Sequence, residues 1–359
     1  MFVVELQDIR WFRKLLIHTY LGVLLGCSVP AFAQEGFLFQ DPHAAFVWQA
    51  ELGAFEELDY QQSVNALLNA YEKQAGEPLK PGETGKVALK VYTASGAGLS
   101  TPQSLVKALA VALEQRGFAR ENILIVDNYT RGLRAAGYIA PLSVGSHSFE
   151  GMPVAMLEDG QYENPIWFYD NALPPRRPRS FSSSPVLEEE RSNILTEEER
   201  RSYLPTPMFL DADFWINLPV VTDHPVMTLN GTLVNATLHA VSNNERFLKS
   251  RATGPVAVAE IGAIPELREK WKFSILSLEG YQYIGGPTYN AHYVRSEPLL
   301  FLSTNPTALD AIALERINGA RKEMGFDAVD MTHPMFEYAE ALGLGFADES
   351  RIEMIAVKP

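Results

Sequence analysis

Between Lys86 and Asp127 the hydrophobic pattern changes period twice, and this restricts the fold more than any other stretch of the chain. Lys86 to Tyr92 alternates, with Val87, Leu89 and Val91 on one side, which is the period of a strand. A loop of small residues follows, Ala94-Ser95-Gly96-Ala97-Gly98. Thr101 is then placed as an N-cap with Pro102 at the first helical position. Leu105, Val106, Leu109, Ala110 and Leu113 form an apolar stripe of helical period that ends at Gly117. Ile123 to Val126 is a second short apolar strand, closed by Asp127. Strand, loop, helix and strand in this order make a parallel βαβ unit with a right-handed crossover. The expected fold is therefore α/β: a mostly parallel sheet with helices on both faces, in one large domain carrying an insertion.

The remaining segments fit around that unit. Residues 34–82 read as a helical, amphipathic N-terminal extension, with Leu67, Leu68 and Tyr71 at helical spacing before Pro78 and Pro81. The α/β domain is expected over 83–359, with the insertion at about 140–205. Within the insertion, Pro174 to Pro185 has the composition of an exposed loop, and Leu187 to Ser202 is a charge-dense helix candidate. Such an excursion either covers a site or is simply solvated. Asp213 to Leu218 is a strand leading into a loop that holds Thr222, Asp223 and His224. Phe273 to Leu278 is another, ending at Glu279-Gly280, and a turn follows at Gly285-Gly286-Pro287. Pro298 to Leu302 is a further strand. Asn305 then caps a helix that starts at Pro306, with Leu309, Ile312, Ala313 and Ile317 inward.

Charge removes one class of partner. Lysine and arginine number 30 against 44 acidic residues, a formal charge of −14, which argues against gripping a nucleic-acid backbone. The N-terminus has the form of an export signal over 1–33: Arg10, Arg13 and Lys14 precede an apolar run that ends at Ala31-Phe32-Ala33. Glu5 and Asp8 are unusual in such a flank. Leu24-Leu25-Gly26-Cys27 also has the form of a bacterial lipoprotein signal. Cleavage after Ala33, a lipid anchor at Cys27, and an uncleaved anchor or helix all remain open. The expected location is exported, periplasmic or extracellular, with no transmembrane segment once the signal is removed. Cys27 is the one cysteine of the chain, so cleavage after Ala33 would leave no thiol for a disulfide or an iron–sulfur cluster.

In a parallel sheet ligands bind beyond the carboxyl ends of the strands, so the polar residues at those ends are the first candidates. Lys90, Thr101, Asp127, His224, Glu279 and Asp310 occupy or adjoin such places, and Asn235 joins them in the expected crevice. Converging, they would suit a small polar or anionic molecule, or a divalent metal held by oxygen and nitrogen. His224, Glu279 and Asp310 are the acid–base candidates, Lys90, Thr101, Asp127 and Asn235 the binding candidates, and His224 with Asp223 the metal pair. Each also has a plain alternative: Lys90 as a strand-edge charge reaching water, Asp127 and Glu279 as turn caps, Asp310 as a carboxylate favoured by a helix dipole. Gly96 and Gly98 precede a helix but lack both a dinucleotide fingerprint and a P-loop lysine. Asp211 and Asp213 have metal-pair spacing, although Asp213 also simply opens a strand. Three sequons, at Asn128, Asn230 and Asn235, matter only with eukaryotic secretion. No G-x-S-x-G nucleophile pattern is present.

The ordered set of these stations resembles the domain-of-unknown-function family 362. The likeness runs from Lys90 and Thr101-Pro102 through Asp127, Thr222-Asp223-His224, Val234-Asn235, Glu279-Gly280 and Gly286-Pro287. It continues to Ser303-Thr304-Asn305-Pro306-Thr307-Ala308-Leu309-Asp310 and Ala341 to Gly345, so that it covers about 86–347 apart from the insertion. Thr222 and Val234 stand where the family carries lysines, and Glu279 and Asn305 where it carries aspartates. An anion site built on those lysines would be weakened here. Many relatives carry a cysteine-rich ferredoxin-like segment that this chain lacks. The resemblance implies the α/β fold, and it implies no settled activity. Two functions follow as expectations: an enzyme acting on a small polar molecule in a crevice at the strand ends, or a non-catalytic extracytoplasmic binding or accessory protein.

Overall fold

The computed structural model describes residues 44–160, 162–172 and 200–359. The export signal with Cys27 and Ala33, residues 34–43 of the extension, and most of the insertion's loop and helix candidates, 173–199, lie outside the described residues. In chain order the strands are β1 (Ala45–Glu51), β2 (Val87–Lys90), β3 (Ile123–Asp127), β4 (His147–Phe149), β5 (Met152–Met156), β6 (Phe168–Asp170), β7 (Arg201–Tyr203) and β8 (Phe214–Asn217). There follow β9 (Val221–His224), β10 (Thr228–Asn230), β11 (Trp271–Ser277), β12 (Tyr281–Gln282), β13 (Val294–Arg295), β14 (Leu299–Ser303) and β15 (Ile352–Val357). The α-helices are α1 (Glu57–Ala75), α2 (Gln103–Glu114), α3 (Thr130–Ala135), α4 (Thr232–Ala236) and α5 (Glu245–Leu248), then α6 (Gly254–Gly262), α7 (Pro265–Lys270), α8 (Pro306–Glu323) and α9 (Pro334–Ala341).

Nine strands form one mostly parallel sheet in the order β15-β1-β14-β11-β8-β2-β3-β5-β4. β2 pairs in parallel with β3 on one side, Lys90 opposite Val126, and with β8 on the other, Lys90 opposite Asn217. From β2 the chain first builds outward through β3 to β5 and later returns to build the other way through β8 and β11. The strand order therefore reverses between β2 and β8, and in open α/β sheets that reversal leaves a crevice at the carboxyl ends. A four-stranded sheet, β10-β9-β12-β13, forms separately.

Helices cover both faces, as the period changes predict. On one face α1 and α2 bury Tyr60, Val64, Leu67, Leu105 and Leu109 against Val87, Leu89, Ile125, Ile216 and Ile275. On the other, α6, α8 and α9 bury Val258, Ile261, Leu309, Ile312 and Met335 with Ala88, Val126, Trp215 and Phe301. Each large apolar side chain enclosed in this way contributes about 1.5–3 kcal/mol.

Three expectations need correction. The extension is not wholly helical, because Ala45–Glu51 is β1, which lies in the large sheet between β14 and β15. Its side chains are covered on both faces, so Ala45-Phe46-Val47-Trp48 shows a continuous apolar run in place of alternation. The insertion also begins later than expected, since β4 and β5 extend the sheet past β3 and the chain leaves it only after Met156. Finally, Thr222-Asp223-His224 is not a loop but most of β9, paired with β10.

Candidate functional site

The reversal between β2 and β8 is filled by polar side chains bonded to one another. Lys90, fully buried at the end of β2, donates to Asp127 Oδ1 at 2.8 Å, Asn235 Oδ1 at 3.0 Å and its neighbour's carbonyl, Val91 O, at 2.6 Å. An ammonium has three hydrogens, and all three are used. Burial pushes the Lys90 pKa down, and the charge of Asp127 opposes that shift. Asp127 in turn accepts from Thr93 Oγ1 at 2.5 Å and from the Asn128 N–H at 2.8 Å. Asn235 passes the connection on, donating to Asn217 Oδ1 at 2.7 Å, and Asn217 donates to Thr232 O at 2.9 Å. Strands β2, β3 and β8 are thereby tied to α4.

Asp310 completes the same framework from α8. Its oxygens accept the N–H groups of Thr232 at 2.5 Å and Leu233 at 3.0 Å, holding the first turn of the helix that carries Asn235. Gly231 makes this approach possible, because a Cβ there would lie 2.4 Å from Asp310 Oδ1. Burial raises the Asp310 pKa to about 7 against the pull of the Leu233 and Thr232 N–H groups. An acid whose folded pKa is raised contributes stability that is present below pH 4 and is lost as the pH rises toward 7. Thr101 does not cap α2. Its hydroxyl donates to Leu218 O at 2.7 Å and accepts the Tyr92 N–H at 2.8 Å, bridging β2 and β8.

Lys90, Asp127, Asn235, Thr101 and Asp310 thus belong to one connected region, whereas the acid–base trio does not assemble. The His224 ring nitrogen Nδ1 accepts from the N–H groups of Val226 and Met227, both at 3.1 Å, and burial lowers the His224 pKa to about 4. Glu279 accepts from Tyr60 Oη of α1 at 2.5 Å, on the sheet face opposite α8 and Asp310. His224, Glu279 and Asp310 are each committed to a different partner.

The metal pair fails for a simpler reason. Asp223 and His224 are neighbours in β9, and neighbouring side chains in a strand point to opposite faces. Asp223 accepts the N–H groups of Gly285 at 3.1 Å and Gly286 at 2.7 Å, so its oxygens are engaged elsewhere. Among the described residues no three His, Cys, Asp or Glu side chains are grouped to hold a metal ion. These donors do not fit a metal centre. Asp213, of the Asp211–Asp213 pair, accepts from the N–H groups of Gly82 and Thr84. The sequon asparagines Asn128, Asn230 and Asn235 are buried, as are Thr222 and Val234.

Beside the Lys90 framework runs a second polar chain that pattern reading misses. Asn230 Nδ2 donates to Tyr92 Oη at 2.7 Å, and Tyr92 Oη bonds Ser95 Oγ at 2.7 Å in the loop after β2. Asn230 Oδ1 therefore faces His239 Nε2 at 3.0 Å, which makes Nε2 the protonated nitrogen and Nδ1 an acceptor. His239 Nδ1 is buried without a partner. Burial, the Lys90 charge and His224 keep this imidazole far below its ordinary pKa and neutral. The rings of Tyr92 and Tyr129 meet His239 edge-on at 5.2 and 6.2 Å. Tyr289 lies against the loop, where a Cβ on Gly98 would come within 2.3 Å of its ring. Only the small-residue loop signalled this region in advance; Tyr92, Asn217, Asn230 and His239 come from separate segments with no spacing rule.

No family model, no curated protein and no solved structure matches this chain. Among the described residues no helix is long and apolar enough to cross a membrane.

Proposed function

We propose that this protein is an exported binding protein for a small polar molecule, taken at the carboxyl edge of the large sheet beside β2 and β8, and that it is a diverged relative of domain-of-unknown-function family 362. The observation that carries the binding reading is His239. It is a buried, neutral imidazole whose tautomer is fixed by a hydrogen-bond chain, and it keeps one acceptor atom with no donor from the protein. A buried polar atom left unpaired costs about 1–3 kcal/mol, and a ligand hydroxyl or amine donating to Nδ1 would recover it. Ser95 stands at the other end of that chain in the loop where ligands of parallel sheets gather. Binding is favoured over catalysis because His224, Glu279 and Asp310 are each held by separate partners, and because Lys90 has no hydrogen left for an anion. Export rests on the charge and hydropathy pattern of residues 1–33.

Ligand-observed NMR with a panel of small polyols, amines and amino alcohols tests this reading. Compounds that bind the wild type are expected to lose binding to His239→Phe, which keeps a planar ring but removes the acceptor. A panel without binders, or binders indifferent to the substitution in a folded variant, would defeat it.

A further inference from the structure

Away from the switch point, a cleft of about 480 Å³ opens between the small sheet and α8, lined by Tyr281, Arg295, Glu297, Glu315, Arg316 and Gly319 among others. Its two arginines differ from the guanidinium groups that are tied tightly to the protein. Arg116, for comparison, makes five hydrogen bonds, two of them to the carboxylate of Glu72. Arg316 Nη1 forms a long ion pair with Glu297 at 3.4 Å and Arg295 Nη2 another with Glu323 at 3.9 Å, and neither guanidinium makes a well-aligned hydrogen bond to the protein among the described residues. Nε of each arginine is shielded from water and has no acceptor. A guanidinium offers five donors in a planar fork suited to a carboxylate, and here two forks border one cleft with that capacity unspent.

The opposite lining limits what can enter. Glu297 is fixed by Tyr281 Oη at 2.7 Å, and Glu315 and Glu323 add further carboxylates. A ligand bearing only negative charge would meet these acids, so an occupant needs hydrogen-bond donors as well as an anionic end. The floor is open by construction: a Cβ on Gly319 would meet nothing within 4 Å.

We infer that this cleft is a binding site for a small carboxylate that also carries hydroxyl or ammonium donors, its carboxylate on Arg295 and Arg316 and its donors toward Glu297 and Glu323. Hydroxy acids and amino-acid zwitterions share this chemistry. The site is independent of the one assigned to His239, so either can fail alone.

Isothermal titration of the full chain with D-gluconate and with L-threonine separates the two sources, with acetate and inorganic phosphate as donor-poor controls. At least one of the first two is expected to bind in the millimolar range or tighter, with each control at least about tenfold weaker. Arg295→Gln and Arg316→Gln should each weaken that binding about tenfold or more, and Gly319→Leu, whose Cβ would meet no atom within 4 Å, should abolish it while the protein stays folded. His239→Phe should leave it unchanged. No binding by gluconate or threonine, controls that bind equally well, or binding that survives Gly319→Leu would each overturn the inference.

Discussion

The switch point and the cleft on α8 use the same kinds of side chain to opposite ends. At the switch point Lys90 is wholly buried and each of its hydrogens has a protein acceptor, so its charge serves to join strands. In the cleft the Arg295 and Arg316 side chains are about 40% exposed and make only long ion pairs, to Glu323 and Glu297. A buried cation left unsatisfied costs several kcal/mol, whereas a half-exposed one tolerates being left open for a ligand. Satisfaction, more than residue type, separates framework from binding surface here. By the same measure His239, with one nitrogen paired and one not, lies between them.

The sharpest way to break this contrast is to empty the framework. Lys90→Met should cost about 3–5 kcal/mol, because it strands the Asp127 carboxylate in the interior, and urea unfolding would register it. A loss below about 1 kcal/mol would place Lys90 with the open arginines. His224 gives the next effect. Its pKa is depressed to about 4 by burial, so it contributes stability that is present above about pH 6.5 and is lost as the pH falls toward 4. Across that window the wild type should lose about 3 kcal/mol relative to His224→Asn, and parallel pH profiles would contradict the buried, neutral ring. Arg116→Ala should cost about 1–3 kcal/mol through its lost bonds to Glu72. Arg295→Gln, at the other extreme, should change stability by less than about 0.5 kcal/mol, and a thermal melt that groups it with Arg116 would erase the distinction.

How much of this was legible in the sequence depended on whether a local rule governed the residue. The βαβ unit was legible because its periods change within a few dozen residues, and Asn305 was legible as a cap, its side chain accepting the Ala308 N–H at 2.9 Å. Lys90 and Asp127 could be named in advance because polar residues at parallel strand ends are few, and Asn235, which lies on α4, was named only through the family resemblance. Their roles could not, since the number of hydrogens Lys90 has left depends on Asn235, 145 positions away. β1 was misread because a strand covered on both faces shows no alternation. Thr222 to His224 was misread because four residues of β9 carry too short a pattern to set against the turn residues nearby. His239 and the two arginines were invisible for a further reason: what marks them is the lack of a partner, which only the packed molecule can display.

Lys90 and Asp127 act as one closed unit at the reversal of strand order. A double-mutant cycle of Lys90→Met and Asp127→Asn, followed by urea unfolding, addresses it directly. A coupling of at least about 2 kcal/mol is predicted. Additive losses would mean that the two charges do not depend on each other, which would contradict the framework described here.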